Sequence, residues 1–425
     1  MKFGYFGGLQ CYIRAIKNNS RLKRRVELLI VSCLFLTALL IRLKADWYSL
    51  TGEQGFAFGD DDDYYRLAMS LVRSGTIEDS GYLAYRMPVF PILLAVIYRL
   101  LGSSPHVAQP FILVLSGLTS VLIYFLGKLV FDARVGLLAG ILAALDIGLI
   151  FYSKFLLTET LFVFLIVCSA LSIEQLRRNP SWQGAIITGS FLGLSTLTRA
   201  NFSILLPFFV GFIIYYSRPN PRIARRNVPI IILLVGALWF SWISRNFIEL
   251  NALIPFTSQA GNAYFPIYND EAASQRNAYL FGLWTDVRIP ENIQDLDEVN
   301  KDKELRELAF TWIYENPIKA LRIALFQPFH FWQPDVYGDI SYLLLTMAGI
   351  VGFIRSCCKD RPSVILWALM IFALTFSTIF TIGIPRFRVA LDPFIDILAA
   401  LAFVSSGQSI LLSFQMKRMH NQGTR

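Results

Sequence analysis

Apolar runs of span length recur along this sequence with only short polar stretches between them, and that pattern constrains the fold more than any other feature. A bilayer core about 30 Å thick takes roughly 20 apolar residues per helix. Charged residues make up 16% of the 425, where soluble domains sit near about a quarter. The expected fold is an all-α integral membrane protein with about ten transmembrane helices. The spans are placed at 26–44, 109–127, 135–152, 156–174, 183–200, 202–217, 228–247, 339–355, 363–383 and 391–412.

Basic residues fix the expected orientation, because they concentrate in cytoplasmic loops. With the N-terminus inside, the cytoplasmic segments are 1–25, 128–134, 175–182, 218–227, 356–362 and 413–425. They carry Arg21, Lys23, Arg24 and Arg25, then Arg177 and Arg178, then Arg218, Arg222, Arg225 and Arg226, then Lys359 and Arg361, then Lys417 and Arg418. The basic start before an apolar run ending at Lys44, with no small-residue cleavage pattern, reads as an uncleaved signal anchor. The net charge of +9 is thereby assigned to loops rather than to nucleic acid, and no partner of that kind is expected.

Two long segments fall outside, 45–108 and 248–338. The chain divides into a tail (1–25), a transmembrane module (26–247) that includes loop 45–108, a second loop on the acceptor side (248–338), and three closing spans with a tail (339–425). In the first loop, Tyr64, Leu67, Ala68, Leu71 and Val72 make one face of a helix after Gly59 and Asp60 to Asp63, with Gly75 as its stop. A second stretch from Pro88 to Gly102 places Val89, Leu93, Ile97, Leu100 and Leu101 in a stripe. Both are too short to span and read as interfacial helices. In the second loop, Leu305, Leu308, Trp312 and Ile313 form a weak stripe, and Phe329 to Trp332 reads as an aromatic belt with His330 as a member.

With three histidines, His106, His330 and His420, a multi-His zinc site or a Ser-His-Asp triad is not expected, so carboxylates should carry any acid–base chemistry. Gly127-Lys128 is followed by Leu129, so it is no nucleotide loop. Cys11, Cys33, Cys168, Cys357 and Cys358 fall in spans or on the cytoplasmic side, where no disulfide is expected.

Charges near spans are costly and therefore informative. On the expected outer side stand Asp60 to Asp63, Arg86, Lys154, Glu159, Arg199, Arg245, Arg386, Arg388 and Asp392. One acid of the Asp run suits a general base or a divalent cation, while capping explains one or two of the four. Arg86 offers a fork for phosphate oxygens, or a snorkelling anchor. Lys154 and Glu159 either pair with each other or leave Glu159 facing the site. Arg199 is an interface anchor or a site residue. Arg386 and Arg388 lie on the face where basic residues are not favoured, which suits an anionic ligand or pairing with Asp392 or another acid. Asn262, Tyr264 and Asn269 are candidate sugar or acceptor contacts.

Six ordered segments resemble the GT-C class of glycosyltransferases, specifically bacterial relatives of dolichyl-phosphate-mannose–protein mannosyltransferases and of the lipid A aminoarabinose transferase. They are Asp60-Asp61 with Tyr64 and Ala68; Arg86 to Ala95; Tyr152 to Glu159 with Leu161-Phe162; Gly193 to Arg199; Trp242 to Asn246; and Arg386 to Pro393. The resemblance implies a polyprenyl-phosphate sugar donor bound at the outer leaflet and inverting transfer to a hydroxyl of a glycan, lipid or protein acceptor. It carries an essential acid to Asp60 or Asp61, with Asp63 and Tyr64 beside it. It carries a donor-phosphate contact to Arg86 and site roles to Glu159, Arg199 and Arg386; as an expectation from the residues themselves, Arg386 or Arg388 helps Arg86 with the departing lipid phosphate. No cofactor is expected, a divalent cation being the one left open. Acceptor selection is expected from the loops, mainly 248–338. The rival readings are a flippase or transporter of a lipid-linked anion, a polysaccharide polymerase or ligase, and a non-catalytic envelope subunit. A carrier would place its charges at the membrane midplane rather than the outer rim.

Overall fold

The computed structural model describes residues 20–47, 59–274, 287–334, 340–357 and 361–423, with side chains up to residue 407 in the last segment. Cys11, Cys358, Lys359 and the side chains of Lys417, Arg418 and His420 lie outside the described residues, as do the tail before residue 20 and parts of segments 45–108 and 248–338. Cys33, Cys168 and Cys357 are free thiols.

The architecture is all-α, and among the described residues the only β pairing is an isolated bridge between Asp79 and Tyr82. The helices are α1 (Ser20–Ala45), α2 (Gly59–Ser74), α3 (Val89–Leu101), α4 (Gln109–Val130), α5 (Ala133–Leu145), α6 (Ile147–Tyr152), α7 (Thr158–Arg178) and α8 (Trp182–Thr198). They continue with α9 (Leu206–Tyr216), α10 (Pro221–Leu250), α11 (Glu298–Glu315), α12 (Pro317–Phe331), α13 (Ile340–Cys357), α14 (Pro362–Ser377), α15 (Pro385–Arg388) and α16 (Asp392–Gly423). Helix occupies each expected span. Four described helices, at Ser20–Ala45, Pro105–Val130, Thr158–Arg178 and Pro221–Leu250, are long and apolar enough to cross a membrane. Val89–Leu101, Ala133–Leu145, Ala200–Tyr216, Ser341–Cys357 and Pro362–Ser377 are shorter apolar helices.

Two expected spans are interrupted. The one at 135–152 breaks at Asp146, which leaves the helix and accepts the Leu149 N–H at 2.7 Å, capping α6. The one at 202–217 begins as the 3₁₀ turn Ala200–Leu205 before α9. Neither break has an apolar signature.

Helix α7 is buried on nearly every side, whereas α1 and α10 expose most of their surface. A helix that is apolar all round and enclosed is the centre of the bundle; one that is apolar and exposed faces lipid. Inside lipid, close packing rather than water exclusion holds helices together, so small residues mark the contacts. A Cβ on Gly136 would lie 2.5 Å from Tyr124 O, and one on Gly352 would lie 1.8 Å from Leu398 O. Gly352→Ala must therefore part α13 from α16, with an expected loss of about 1–3 kcal/mol, read as a lowered unfolding temperature in detergent. Arg42 is fully buried and joins α1 to its neighbours, donating from Nε to Ser116 Oγ (2.6 Å) and from Nη1 and Nη2 to Ala144 O and Ala143 O (3.2 Å each).

The first loop folds as expected into α2 and α3, packed edge-to-face through Tyr64–Phe90 (5.1 Å) and Tyr65–Tyr98 (5.5 Å). Gly75 ends α2 at φ +77°, where a side chain would be strained. The buried stripe of α3 differs from the expected one: Phe90, Leu94, Ile97 and Tyr98 face inward, while Leu100 and Leu101 are exposed. The helix is apolar on both sides, so periodicity alone does not choose its inner face. In the second loop, α11 buries Leu305, Ala309 and Trp312, while Leu308 is exposed. His330 is 1% exposed, with Phe326 and Phe329 beside its ring and Nδ1 3.5 Å from Gln333 Oε1. It is an interior residue, not a member of an interfacial belt.

Candidate functional site

The first turn of α2 carries Asp60, Asp61 and Asp62, with Asp63 directly after them, because acids suit a helix N-terminus. Its helical pitch then sends them in different directions. Asp60 meets two arginines from distant parts of the chain: Arg86, after α2 in the first loop, and Arg386 on α15. Arg386 Nη1 donates to Asp60 Oδ2 at 2.6 Å, and Arg86 Nη2 donates to Asp60 Oδ1. Arg86 Nη2 also donates to Asp63 Oδ2 at 2.6 Å. Asp63 Oδ1 accepts from Arg66 (2.7 Å), which in turn bonds Asp62 and, at 2.9 Å, Asp79. Asp61 is buried, with Oδ1 accepting the Asp62 N–H at 3.1 Å.

Arg386 continues the network inward. Its Nε and Nη2 donate to the two oxygens of Glu159, the latter at 3.2 Å, and Arg199 Nη2 donates to Glu159 Oε1 at 2.7 Å. Glu159 opens α7 and is fully buried. Its charge is sustained by two guanidinium groups, which is what a buried carboxylate requires. Arg199 also lies 4.6 Å from the Phe387 ring centre. Thus α2, the first loop, α7, α8 and α15 converge on one alternating cluster of carboxylates and guanidinium groups.

Aromatic rings wall the Arg86 end. Its Cζ lies 5.4 Å from the Tyr64 ring centre and 5.1 Å from that of Tyr85. Burial alone would raise the Asp60 carboxyl, but Arg86 and Arg386 overcome it and hold the group below its ordinary value. Burial opposes the charge on Arg86 and Arg386, and the surrounding tyrosines and carboxylates outweigh it, pushing both guanidinium groups up. Burial pushes the Tyr64 phenol up, so it stays a neutral donor.

Three expected site residues stand elsewhere. Arg388, two positions from Arg386, points to the other side: Nη1 donates to Gln333 O (2.5 Å), the guanidinium covers the Tyr342 ring (3.3 Å), and Asp392 lies 4.0 Å from Nε. Arg245 clamps backbone, donating to Leu83 O (2.5 Å) and Ile77 O (2.8 Å). Lys154 does not pair with Glu159; its ammonium lies over Phe151 and Phe155, at 5.4 and 5.7 Å. Among the loop candidates, Asn262 donates to Tyr85 Oη at 3.2 Å, and Asn269 donates to Phe265 O at 2.7 Å. Glu298 was not legible as a special residue, since it is one acid among several around it, yet it is buried against the loop that carries Arg86. Among the described residues, no group of three or more His, Cys, Asp or Glu side chains is placed to hold a metal ion.

Residues 86–244 match the sequence profile of the family described as dolichyl-phosphate-mannose-protein mannosyltransferase. Among curated proteins no sequence matches the chain. The fold is that of an archaeal oligosaccharyltransferase, AglB from Archaeoglobus fulgidus, solved with an inhibitory peptide and a dolichol-phosphate: TM-score 0.60, 14% identity, 94% of this chain and 52% of that one. The Archaeoglobus fulgidus oligosaccharyltransferase tethered to an acceptor peptide containing the NVT sequon aligns at TM-score 0.57 and 14% identity, over 93% of this chain and 51% of that one. The chain thus spans about half the length of the enzymes whose fold it shares.

Proposed function

Starting from a chain with the GT-C fold and a mannosyltransferase profile match, we propose that it is a membrane glycosyltransferase. It moves a sugar from a polyprenyl-phosphate donor to a hydroxyl acceptor on the extracytoplasmic face, with inversion at the anomeric carbon. The dolichol-phosphate in the archaeal structure supports a lipid-phosphate donor. The observation that carries the reading is Asp60 held between Arg86 and Arg386.

In the resting site the Asp60 carboxylate occupies the two guanidinium groups that suit a phosphate. Arg forks bind phosphate oxygens as readily as carboxylates. An arriving lipid phosphate competes for Arg86 and Arg386 and releases Asp60. The freed carboxylate regains basicity and accepts the proton of the acceptor hydroxyl. The hydroxyl oxygen bonds to the anomeric carbon as the bond from that carbon to the phosphate oxygen breaks, and the electron pair leaves on the polyprenyl phosphate. Arg86 and Arg386 stabilise the charge developing there. Glu159, with Arg199, holds Arg386 in place. The sugar arrives activated on its lipid, so no nucleotide enters.

This exchange predicts a pH signature. The free enzyme holds Asp60 depressed, so the acid limb of kcat/KM, which reports free enzyme, lies at low pH. In the donor complex the arginines have turned to phosphate, so the acid limb of kcat lies at higher pH. Coincident limbs would contradict the exchange. The parent test is transfer by the purified protein in liposomes, with a panel of polyprenyl-phosphate sugars and an envelope acceptor fraction, with and without chelator. Chelator-insensitive transfer is the expected outcome. Donor binding and translocation without sugar transfer would replace the enzyme with a carrier.

A further inference from the structure

The dipeptide Leu83-Ala84 stands just before Tyr85-Arg86, and all four of its backbone polar groups are satisfied from outside the first loop. Glu298 accepts both N–H groups, Leu83 N at 2.6 Å and Ala84 N at 2.9 Å. Arg245 donates to Leu83 O, and Ser258 N donates to Ala84 O at 3.1 Å. Ser258 Oγ donates to Glu298 as well, and Asn262 reaches Tyr85 Oη, whose ring faces Arg86. Glu298, Ser258 and Asn262 all belong to the second outer loop. Paired backbone groups are the rule in buried chain, but here a single buried carboxylate claims two consecutive amides two residues from the phosphate-binding candidate. Hydrogen bonds to a charged acceptor are roughly twice as strong as neutral ones.

We infer that Glu298 is a positioning residue: it latches the second loop onto Leu83-Ala84 and thereby sets the place of the Arg86 guanidinium. This rests on the reading of Arg86 as a donor-phosphate ligand. The consequence is that whatever moves α11, an acceptor bound against the second loop above all, is felt at the donor phosphate. The helix that carries Glu298 is independently capped by Asp297, whose Oδ1 accepts Val299 N and Asn300 N at 3.1 Å each. Glu298 is therefore not needed to start α11.

The test compares the full-length protein with Glu298→Gln and Asp297→Ala in nanodiscs, with undecaprenyl phosphate as probe. Glu298→Gln puts an amide group against the two N–H donors and is expected to weaken binding about tenfold, roughly the weight of one charge-assisted bond. Asp297→Ala removes the cap of the same helix and should lower the unfolding temperature with the Kd unchanged. Equal Kd values for wild type and Glu298→Gln, or equal losses in both variants, would overturn the latch. Amide hydrogen exchange supplies an arm that needs no ligand: faster exchange across residues 83–88 in Glu298→Gln alone supports the latch, and unchanged exchange refutes it. If wild type fails to bind undecaprenyl phosphate, the donor reading falls while the exchange arm still decides the latch.

Discussion

Asp60→Asn is expected to lower the turnover of sugar transfer by about 100- to 10,000-fold, the usual weight of a positioned general base. The substitution is nearly isosteric, so it separates charge from shape. Asn keeps an oxygen that accepts from one arginine but has no basicity to take a proton. Stability should change little, because the Asp60 side chain is 29% exposed and a part-exposed ion pair contributes modestly. Donor affinity should rise or hold, since the resting competitor for Arg86 and Arg386 has lost its charge. Asp63→Asn makes the contrast: it loosens Arg86 and should raise KM more than it lowers kcat. Asp61→Asn touches neither arginine bond described above and should leave most of the turnover. Single-turnover transfer with a fixed donor checks all three. Turnover that survives in Asp60→Asn would move the base to another residue while leaving the fold untouched.

How much of this was legible in the sequence depended on whether a residue's role is written in local periodicity. Helix α2 was readable because its apolar positions repeat at helical spacing and Gly75 supplies the one conformation that ends it. The break at Asp146 was not, since a capping aspartate inside an apolar run has no periodic signal. Within the site, the sequence named Asp60 and Asp61 together. Adjacent residues on a helix differ by about 100° in direction, and only the folded position of Arg86 and Arg386 distinguishes them. The same geometry separates Arg386 from Arg388: two steps of a helical turn carry one to Asp60 and Glu159 and the other to Gln333 and Tyr342. Lys154 and Glu159 looked like natural partners by proximity, yet Glu159 is reached from 40 and 227 positions away. Glu298 illustrates the limit in full, because its partners lie 214 and 215 positions distant. No local pattern encodes that contact.

Arg386→Gln is expected to abolish transfer and to destabilise the protein at the same time, and the two effects can be separated. Arg386 serves two carboxylates, the part-exposed Asp60 and the fully buried Glu159. Removing one partner from a buried pair leaves an uncompensated charge, a loss of about 3 kcal/mol or more. Arg199 remains on Glu159 at 2.7 Å, which places the loss at the low end of that range. The companion Glu159→Gln removes the stranded charge. If Arg386 were only a counter-ion, Arg386→Gln/Glu159→Gln would recover both stability and transfer, since the deficit would lie in the unpaired carboxylate alone. If Arg386 also receives the departing phosphate, the double variant regains unfolding temperature but not turnover, because Arg86 alone is left to meet the leaving charge. Arg386→Lys sharpens the same division: it keeps the charge near Glu159 but cannot span Asp60 and Glu159 with one planar fork, so it should hold stability better than Arg386→Gln and still lose most of the turnover. Recovery of transfer in step with stability would remove Arg386 from the chemistry and leave Arg86 as the sole guanidinium proposed to receive the phosphate.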